Sequence, residues 1–183
     1  MLLHPWPVRN PASMVNERCD SDPSPAETLS IVPSGHIKSA QTSLPIVKTW
    51  WLAAAQLAAQ LGNCAGVIWG PSAERISVKD FEEQSDKWNN KGTFPSSGLV
   101  RFIDDLDEGL RTNGLSFFTK QELRIEPELV DDRDFAERLG FRLVQTLIHR
   151  ETLNAVEEFI GPDGSKLKLV PSQNGKFVRV WRG

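Results

Sequence analysis

The last third of the chain restricts the fold most, because strands and turns follow a long amphipathic segment there. Residues 131–149 repeat apolar side chains at four-residue spacing, which predicts a helix with one buried face. Three alternating segments then follow, separated by two glycine-containing turns. Strands joined by turns this short pair antiparallel. The predicted closing strands are 156–160, 166–170 and 176–181.

Helices and strands do not alternate regularly in the rest of the chain. Residues 44–61 predict a helix that is apolar around most of its circumference, and residues 77–88 predict a second helix that begins at Ser77. This order predicts an α+β fold with a mixed, largely antiparallel sheet and about three helices packed mainly on one face. The other predicted strands are 29–38 (with a turn inside it), 65–69 (a central strand), 99–103, 115–119 and 122–126.

Length and composition predict one domain after a polar lead. The chain has 183 residues, of which 39% are hydrophobic and 25% are charged. Residues 1–28 are rich in proline and serine and are predicted to form an extended lead, whereas residues 29–183 are predicted to form a single α+β domain. A domain of this size buries roughly 70% of its unfolded surface, so its core needs no metal or disulfide.

Cysteine usage and the apolar segments favour a cytoplasmic protein. Cys19 and Cys64 are too few for a disulfide framework, and Cys64 borders an apolar segment that predicts a buried thiol. The N-terminus lacks the basic and apolar regions of a signal peptide. Because polar residues interrupt the apolar segment 44–61, we predict a core helix there and no membrane partner.

No catalytic, cofactor or metal-binding motif can be read from the residues. His4, His36 and His149 are not spaced as metal ligands, and no Cys-x-x-Cys or His-Glu-x-x-His occurs. The glycine-rich phosphate-binding motifs and Gly-x-Ser-x-Gly are also absent. The sequence therefore predicts no catalytic residues, no cofactor and no metal, and its net charge of −3 gives no general attraction to nucleic acid.

An acidic turn lies between two of the predicted strands. Asp104, Asp105, Asp107 and Glu108 follow the strand at 99–103. An EF-hand loop beginning at Asp105 would need an oxygen ligand at its fifth position, where this chain has a glycine. The turn is thus interpreted either as a solvated loop or as a surface for a basic partner.

A second charged zone begins at residue 122. Glu122 and Glu126 fall on one side of an alternating strand, with Arg124 between them. Paired carboxylates serve acid–base chemistry when burial separates their pKa values. This leaves two interpretations open, a salt-bridged strand and an enzyme pocket formed by Glu122, Glu126 and Arg101.

The last twenty residues have the opposite charge. Residues 164–183 carry five basic side chains and no acidic one, with Phe177 and Trp181 among them. Bases interleaved with aromatic side chains suit a nucleic-acid surface. Lys166 and Lys168 also suit the solvent side of an ordinary half-buried strand, so nucleic acid is the less favoured alternative.

Several short motifs stand in an order that is similar to a known family. The segments are Val47-Lys-Thr-Trp-Trp-Leu-Ala-Ala-Ala55, Ala65-Gly-Val-Ile-Trp-Gly70, Gly114-Leu-Ser-Phe-Phe-Thr119 and Glu122-Leu-Arg-Ile-Glu126, with closing strands at 166–169 and 178–180. Together they resemble the bacterial domain of unknown function 4261 family over residues 36–181. The resemblance implies an α+β fold and a bacterial origin, and it implies no reaction.

These observations favour a binding protein over an enzyme. We expect a non-enzymatic protein-binding or regulatory module, such as an immunity-like or antitoxin-like inhibitor, whose partner is another protein with a basic surface. The oligomeric state is left open. The alternative for the same residues is that Trp69 belongs to the core and the acids only solubilise the chain. The candidate binding residues are Trp69, Thr119, Glu122, Glu126, Asp104, Asp105 and Asp107.

Overall fold

A six-stranded sheet organises the computed structural model, which describes residues 28–150 and 152–183. The chain divides into two units, Met1–Val32 and Pro33–Gly183, and the sheet belongs to the second. Almost all of the predicted lead, including Cys19, lies outside the described residues. The strand predicted at 29–38 is wrong, because residues 28–34 form no regular element and Gly35–Ala40 is a 3₁₀ helix.

Five α-helices and eight strands lie within the part of the chain that the structure describes. The helices are α1 (Leu44–Gln60), α2 (Val78–Lys91), α3 (Ser96–Leu99), α4 (Ser116–Thr119) and α5 (Arg133–Leu147). The strands are β1 (Val67–Trp69), β2 (Glu74–Ile76), β3 (Arg101–Asp104), β4 (Leu110–Asn113), β5 (Glu122–Ile125), β6 (Glu157–Ile160), β7 (Lys166–Pro171) and β8 (Phe177–Arg182). A second 3₁₀ helix covers Pro127–Leu129. None of the helices in the described ranges is long and apolar enough to span a membrane.

The large sheet has the strand order β3-β4-β5-β8-β7-β6. Only β5 and β8 pair in parallel, with Leu123 opposite Val178, and the other neighbours in this sheet pair antiparallel. This confirms the predicted α+β fold with a mixed, largely antiparallel sheet. The prediction of a central strand at 65–69 is wrong, because β1 pairs with β2 alone in a separate two-stranded sheet.

Alternation along the strands divides the large sheet into a buried face and a polar face. On the buried face, Leu123 and Ile125 of β5 are inaccessible to solvent, and Gly140 of α5 lies directly against Ile125. Trp51 of α1 and Phe81 of α2 belong to the same continuous core as these strand residues. The polar face carries Arg111, Arg124, Arg179, Trp181 and Lys168.

Side-chain caps fix the starts of two long helices, and the start at Ser77 is the one that the sequence predicts. Ser77 Oγ accepts a hydrogen bond from the Asp80 backbone N–H at 3.1 Å at the start of α2. Asp132 accepts one from the Phe135 N–H at 2.9 Å at the start of α5. Each bond satisfies a donor that the first helical turn leaves unpaired.

The strand predicted at 115–119 is wrong, and the segment forms helix α4 instead. Gly114 has a φ of 102°, which turns the chain sharply at the end of β4. The Glu122 carboxylate then accepts the N–H groups of Gly114, Leu115 and Ser116. Because these tertiary hydrogen bonds hold the backbone in a turn, they override the strand preference of an aromatic-rich segment.

Candidate functional site

The structure separates the predicted binding residues into two groups. Asp105, Asp107 and Glu126 meet around the Arg124 guanidinium at one end of the polar face. Trp69 and Glu122 lie beside helix α4, and Thr119 is the last residue of that helix. Asp104 joins neither group, since it forms an ion pair with Arg133 of α5.

The acidic turn is the tip of the β3–β4 hairpin, residues 104–109. The backbone N–H of Asp105 donates to the Gly109 carbonyl at 2.8 Å, and the N–H of Glu108 donates to the Asp105 carbonyl at 3.1 Å. Glu108 has a left-handed φ of 67°, which closes the turn. Leu106 therefore lies at the end of a closed turn, with its side chain fully exposed.

A chain of charged side chains fastens this hairpin tip to the sheet. Asp105 lies 3.4 Å from Arg111 Nε and 3.5 Å from Arg124 Nη1, and Asp107 accepts a hydrogen bond from Arg124 Nη2. Arg124 Nε lies 3.4 Å from Glu126 but lacks hydrogen-bond geometry. The acids predicted to face a partner are thus bound in part to arginines of their own chain.

Glu126 is the most buried carboxylate of this chain of charges, and it forms a two-bond ion pair with Arg179. The Glu126 side chain is only 3% exposed, and its two oxygens accept from Arg179 Nε at 2.6 Å and Nη2 at 2.9 Å. A parallel two-bond contact of this kind fits the planar guanidinium and compensates a buried carboxylate. The guanidinium also lies over the Trp181 ring, 4.7 Å from its centroid.

These contacts change the acid–base properties of two of the groups. The hydrogen bond from Arg124 lowers the pKa of Asp107 below its ordinary value. The hydrogen bond to Glu126 raises the pKa of Arg179, and the charge of Glu126 acts in the same direction. Both shifts favour the ionised forms of Asp107 and Arg179.

The Glu122 carboxylate accepts hydrogen bonds at the start of α4. It accepts from the Thr112 hydroxyl at 2.6 Å and from the N–H groups of Gly114, Leu115 and Ser116 at 3.0 to 3.2 Å. Four donors on one carboxylate indicate a structural contact that shapes the turn.

Arg101, Glu122 and Glu126, the three residues considered for an enzyme pocket, do not form one. Arg101 lies 3.8 Å from Glu74, Glu122 binds the α4 turn, and Glu126 binds Arg179. Burial raises the pKa of Glu74, while the charge of Arg101 opposes that rise. No ion pair joins Arg101 to Glu122 or Glu126 within the described ranges. The carboxylates of this region therefore do not converge on one reaction centre.

Trp69 is half-buried in an aromatic cluster beside α4. Its ring stacks on Phe118 at 6.4 Å between centroids and meets Phe117 edge-on at 5.5 Å. The indole Nε1 is buried and has no hydrogen-bond partner among the described residues. The ring packs against the core, which agrees with the alternative that Trp69 stabilises the fold.

Thr119 and Gln121 hold the end of α4, and the sequence gives no signal for Gln121. The Thr119 hydroxyl donates to the Gln121 carbonyl at 2.8 Å. The Gln121 side chain is 2% exposed and forms two hydrogen bonds with the backbone of Leu153, at 2.7 and 3.1 Å. The side-chain amide of Gln121 thus joins the end of α4 to the backbone at Leu153. This role of Gln121 cannot be read from the sequence, because residues 121 and 153 become neighbours only in the folded chain.

Two of the basic residues in the segment 164–183 already bind acidic residues of the same chain. Arg179 binds Glu126, and the backbone N–H of Arg182 donates to Glu128 at 2.7 Å. Lys166 and Lys168 are exposed on β7. This leaves fewer available charges for nucleic acid than the sequence suggests.

Neither a search for metal-binding groups nor comparison with known proteins identifies the function of this site. No group of three or more His, Cys, Asp or Glu side chains in residues 28–150 and 152–183 is arranged to hold a metal ion. Comparison with protein-family models, with curated proteins and with solved structures found no match. The resemblance to the domain of unknown function 4261 family therefore stays a prediction.

Proposed function

We propose that the protein is a non-enzymatic binding module that contacts another protein through the tip of the β3–β4 hairpin. The observation that carries this proposal is Leu106, whose side chain is fully exposed at the end of a closed turn. A leucine held on an ordered, projecting turn exposes apolar surface that a partner can bury.

The residues around Leu106 define the chemistry of the partner. Asp107 and Glu108 follow it directly, and the Asp107 side chain is 60% exposed. Glu108 is exposed, and no described residue forms an ion pair with it. We therefore propose a partner with an apolar pocket that has basic side chains at its rim, because opposite charge favours encounter and correct orientation.

The tip of the β3–β4 hairpin is held in place in the free protein, which favours binding of a partner. The ion pairs of Asp105 with Arg111 and of Asp107 with Arg124 hold the turn against β4 and β5. A turn that is already in its bound conformation loses less conformational entropy when a partner binds. This rigidity distinguishes the tip from an ordinary solvated loop.

The proposed setting is the cytoplasm of a bacterium, where the module acts as a regulator or an immunity-like inhibitor. The resemblance stated above supports the bacterial origin. Cys64, which is half-buried and not fully buried as predicted, forms no disulfide with any described residue, and a free thiol suits a reducing compartment.

Site-specific photo-crosslinking tests the proposal. A photoreactive amino acid is placed at position 106 of the full chain, the protein is irradiated in its native cells, and the adducts are identified by mass spectrometry. We expect one stoichiometric protein adduct, and we expect purified partner to bind the Leu106→Ser variant at least tenfold more weakly, since a buried leucine is worth about 1.5–3 kcal/mol.

Leu61 offers a matched control, because it is 42% exposed at the end of α1. The same photoreactive group at position 61 should give no common adduct, and Leu61→Ser should leave the affinity unchanged. The proposal is wrong if position 106 yields only scattered adducts, or if Leu106→Ser and Leu61→Ser bind the captured protein equally well.

A further inference from the structure

The chain contains two Asn-Gly pairs, Asn113-Gly114 and Asn174-Gly175. In such a pair the glycine nitrogen can attack the asparagine amide carbon, because glycine has no Cβ atom to obstruct the approach. The structure places the two pairs in different surroundings. Asn113 is half-buried at the end of β4, whereas Asn174 and Gly175 are exposed in the turn between β7 and β8.

The first pair is protected by hydrogen bonds on both reacting groups. The Asn113 Nδ2 group donates to the Ser72 carbonyl at 2.9 Å, which fixes the side chain in one orientation. The buried Gly114 N–H donates to the Glu122 carboxylate at 3.0 Å. Attack requires this nitrogen to give up its proton, and the negative charge of Glu122 disfavours the amide anion that would result.

The Asn174 amide has the opposite arrangement, because its oxygen accepts both of the hydrogen bonds formed by this side chain within the described ranges. The Ser172 hydroxyl donates to Oδ1 at 2.8 Å, and the Lys176 backbone N–H donates to it at 3.1 Å. Negative charge develops on this oxygen when a nucleophile adds to the amide carbon, and two donors stabilise that charge. The departing Nδ2 group has no partner among the described residues.

The Gly175 nitrogen is held only by the turn itself. Its N–H donates to the Ser172 carbonyl at 2.9 Å, and Gly175 has a left-handed φ of 66°. Exposed turns open locally at a much lower free energy than the core of a fold. Such an opening frees the nitrogen for attack on the neighbouring amide while β7 and β8 stay paired.

We propose that Asn174 is a site of spontaneous deamidation, with water as the only other reactant. The Gly175 nitrogen forms a bond to Asn174 Cγ, its proton passes through solvent to the Nδ2 group, and that group leaves as ammonia. Water then adds to one of the two carbonyl carbons of the resulting cyclic imide and opens the ring. Opening at one carbonyl gives aspartate, and opening at the other gives isoaspartate, whose main chain passes through the side-chain carbon.

Either product changes the basic end of the chain. Residues 164–183 contain no acidic side chain, so the new carboxylate is the first negative charge within this segment and adds one to the formal net charge of −3. Isoaspartate also lengthens the main chain of the turn that sets β7 against β8, which should destabilise the fold. This reaction is independent of the hairpin tip, so each proposal can fail without the other.

Incubation of the folded full chain in mildly alkaline buffer, followed by peptide mapping, tests the proposal. Mass spectrometry with electron-transfer fragmentation identifies each deamidated residue and separates aspartate from isoaspartate. We expect Asn174 to react at least about tenfold faster than Asn113, since one hydrogen bond lost on the way to a transition state changes a rate by that order. Asn90, which is exposed but precedes Lys91, should also react more slowly than Asn174.

The same incubation in concentrated urea separates the intrinsic chemistry from the effect of the fold. Both Asn-Gly pairs should react at similar rates once the chain is unfolded. The proposal is overturned if Asn174 stays intact in the folded protein while both pairs react in urea, or if Asn113 reacts as fast as Asn174 in the folded protein.

Asn174→Asp is the matched control for the effect on the turn. This variant carries the new charge on an unaltered main chain, so it should have a higher thermal midpoint than the purified isoaspartate form. Equal thermal midpoints for the two proteins would overturn the inferred effect of isoaspartate on the fold.

Discussion

The Glu122 carboxylate accepts hydrogen bonds from four donors where β4 turns into α4. Replacement of Glu122 by glutamine presents an N–H₂ group to donors that need an acceptor. We expect Glu122→Gln to lower the free energy of unfolding by about 1–3 kcal/mol, because buried donors without a partner keep their desolvation cost. Urea denaturation measures this difference.

Glu158→Gln is the matched control for that experiment. Glu158 lies exposed on β6, so the same chemical change should alter the free energy of unfolding by less than about 0.5 kcal/mol. Equal unfolding free energies for Glu122→Gln and Glu158→Gln would contradict the structural role of Glu122.

The stabilisation that Asp107 contributes at the hairpin tip depends on pH. Its folded-state pKa is lowered by the hydrogen bond from Arg124, so the carboxylate binds its proton less readily in the folded protein than in the unfolded chain. The stabilisation is therefore complete above the unfolded pKa of about 3.9 and is lost as the pH falls through the folded value. Arg124→Met should return the Asp107 pKa toward its ordinary value, as measured by carboxyl ¹³C NMR.

Asp163 provides the control for the Asp107 titration. Its pKa is also lowered, but the hydrogen bonds responsible come from Ser165 in another turn. Arg124→Met should leave the Asp163 titration unchanged. If Asp107 titrates identically with and without Arg124, the ion pair seen at the tip is not formed in solution.

The sequence predicts residue roles only where they depend on near neighbours. The sequence predicts a helix start at Ser77, where the bonded N–H lies only three residues away. Glu126 was expected to pair with Arg124 on the same strand, but its stronger partner, Arg179, lies on β8. Nothing in the local pattern connects positions that only the sheet brings together.

Helix α5 approaches the sheet closely through Gly140. A Cβ atom built on Gly140 would lie 2.4 Å from Phe102 Cζ and 3.3 Å from Ile125 Cδ1. Since the helix must move or the ring must rotate to admit a methyl group, we expect Gly140→Ala to destabilise the fold by about 1–3 kcal/mol. The thermal midpoint and urea midpoint should both fall.

Gly62→Ala distinguishes steric overlap from other effects of a methyl group. Gly62 lies after α1, and a Cβ atom there would meet nothing within 4 Å. Gly62→Ala should thus be neutral or slightly stabilising. In a Phe102→Ala background the cost of Gly140→Ala should shrink, and full additivity of the two changes would show that the close contact is not responsible.

Elements were predicted best where periodicity was long. Helix α5 and strands β6, β7 and β8 were found by pattern, because a persistent apolar stripe or alternation specifies which face is buried. Helix α4 is predicted as a strand, and β2 and β4 are not predicted. Their conformation depends on Glu122 and on neighbouring strands.

At the scale of the whole molecule, the last strand is inserted into the middle of the sheet. The turn at 171–175 predicts that β8 pairs with β7, and that pairing is observed. The parallel pairing with β5 could not be predicted, because alternation of buried Val178 and Val180 with partly exposed residues suits an edge strand equally well. The sheet thus becomes continuous only when distant parts of the chain meet.

This topology predicts how stability is distributed over the molecule. The side chains of Leu123, Val178 and Val180 are all at least 98% buried at the β5–β8 junction, whereas Ile68 of β1 is 52% exposed in a two-stranded sheet. Amides of β5 and β8 should exchange with deuterium only through global unfolding, and those of β1 and β2 through local opening.

Native-state hydrogen exchange at increasing urea concentrations measures both rates. The β5 and β8 amides should show the full denaturant dependence of global unfolding, because breaking their parallel pairing separates β3–β4–β5 from β6–β7–β8. The β1 and β2 amides should exchange faster, with little dependence on urea. If β1 amides exchange as slowly as that of Val180, the small sheet unfolds with the large one, and the core of the molecule extends further than burial alone indicates.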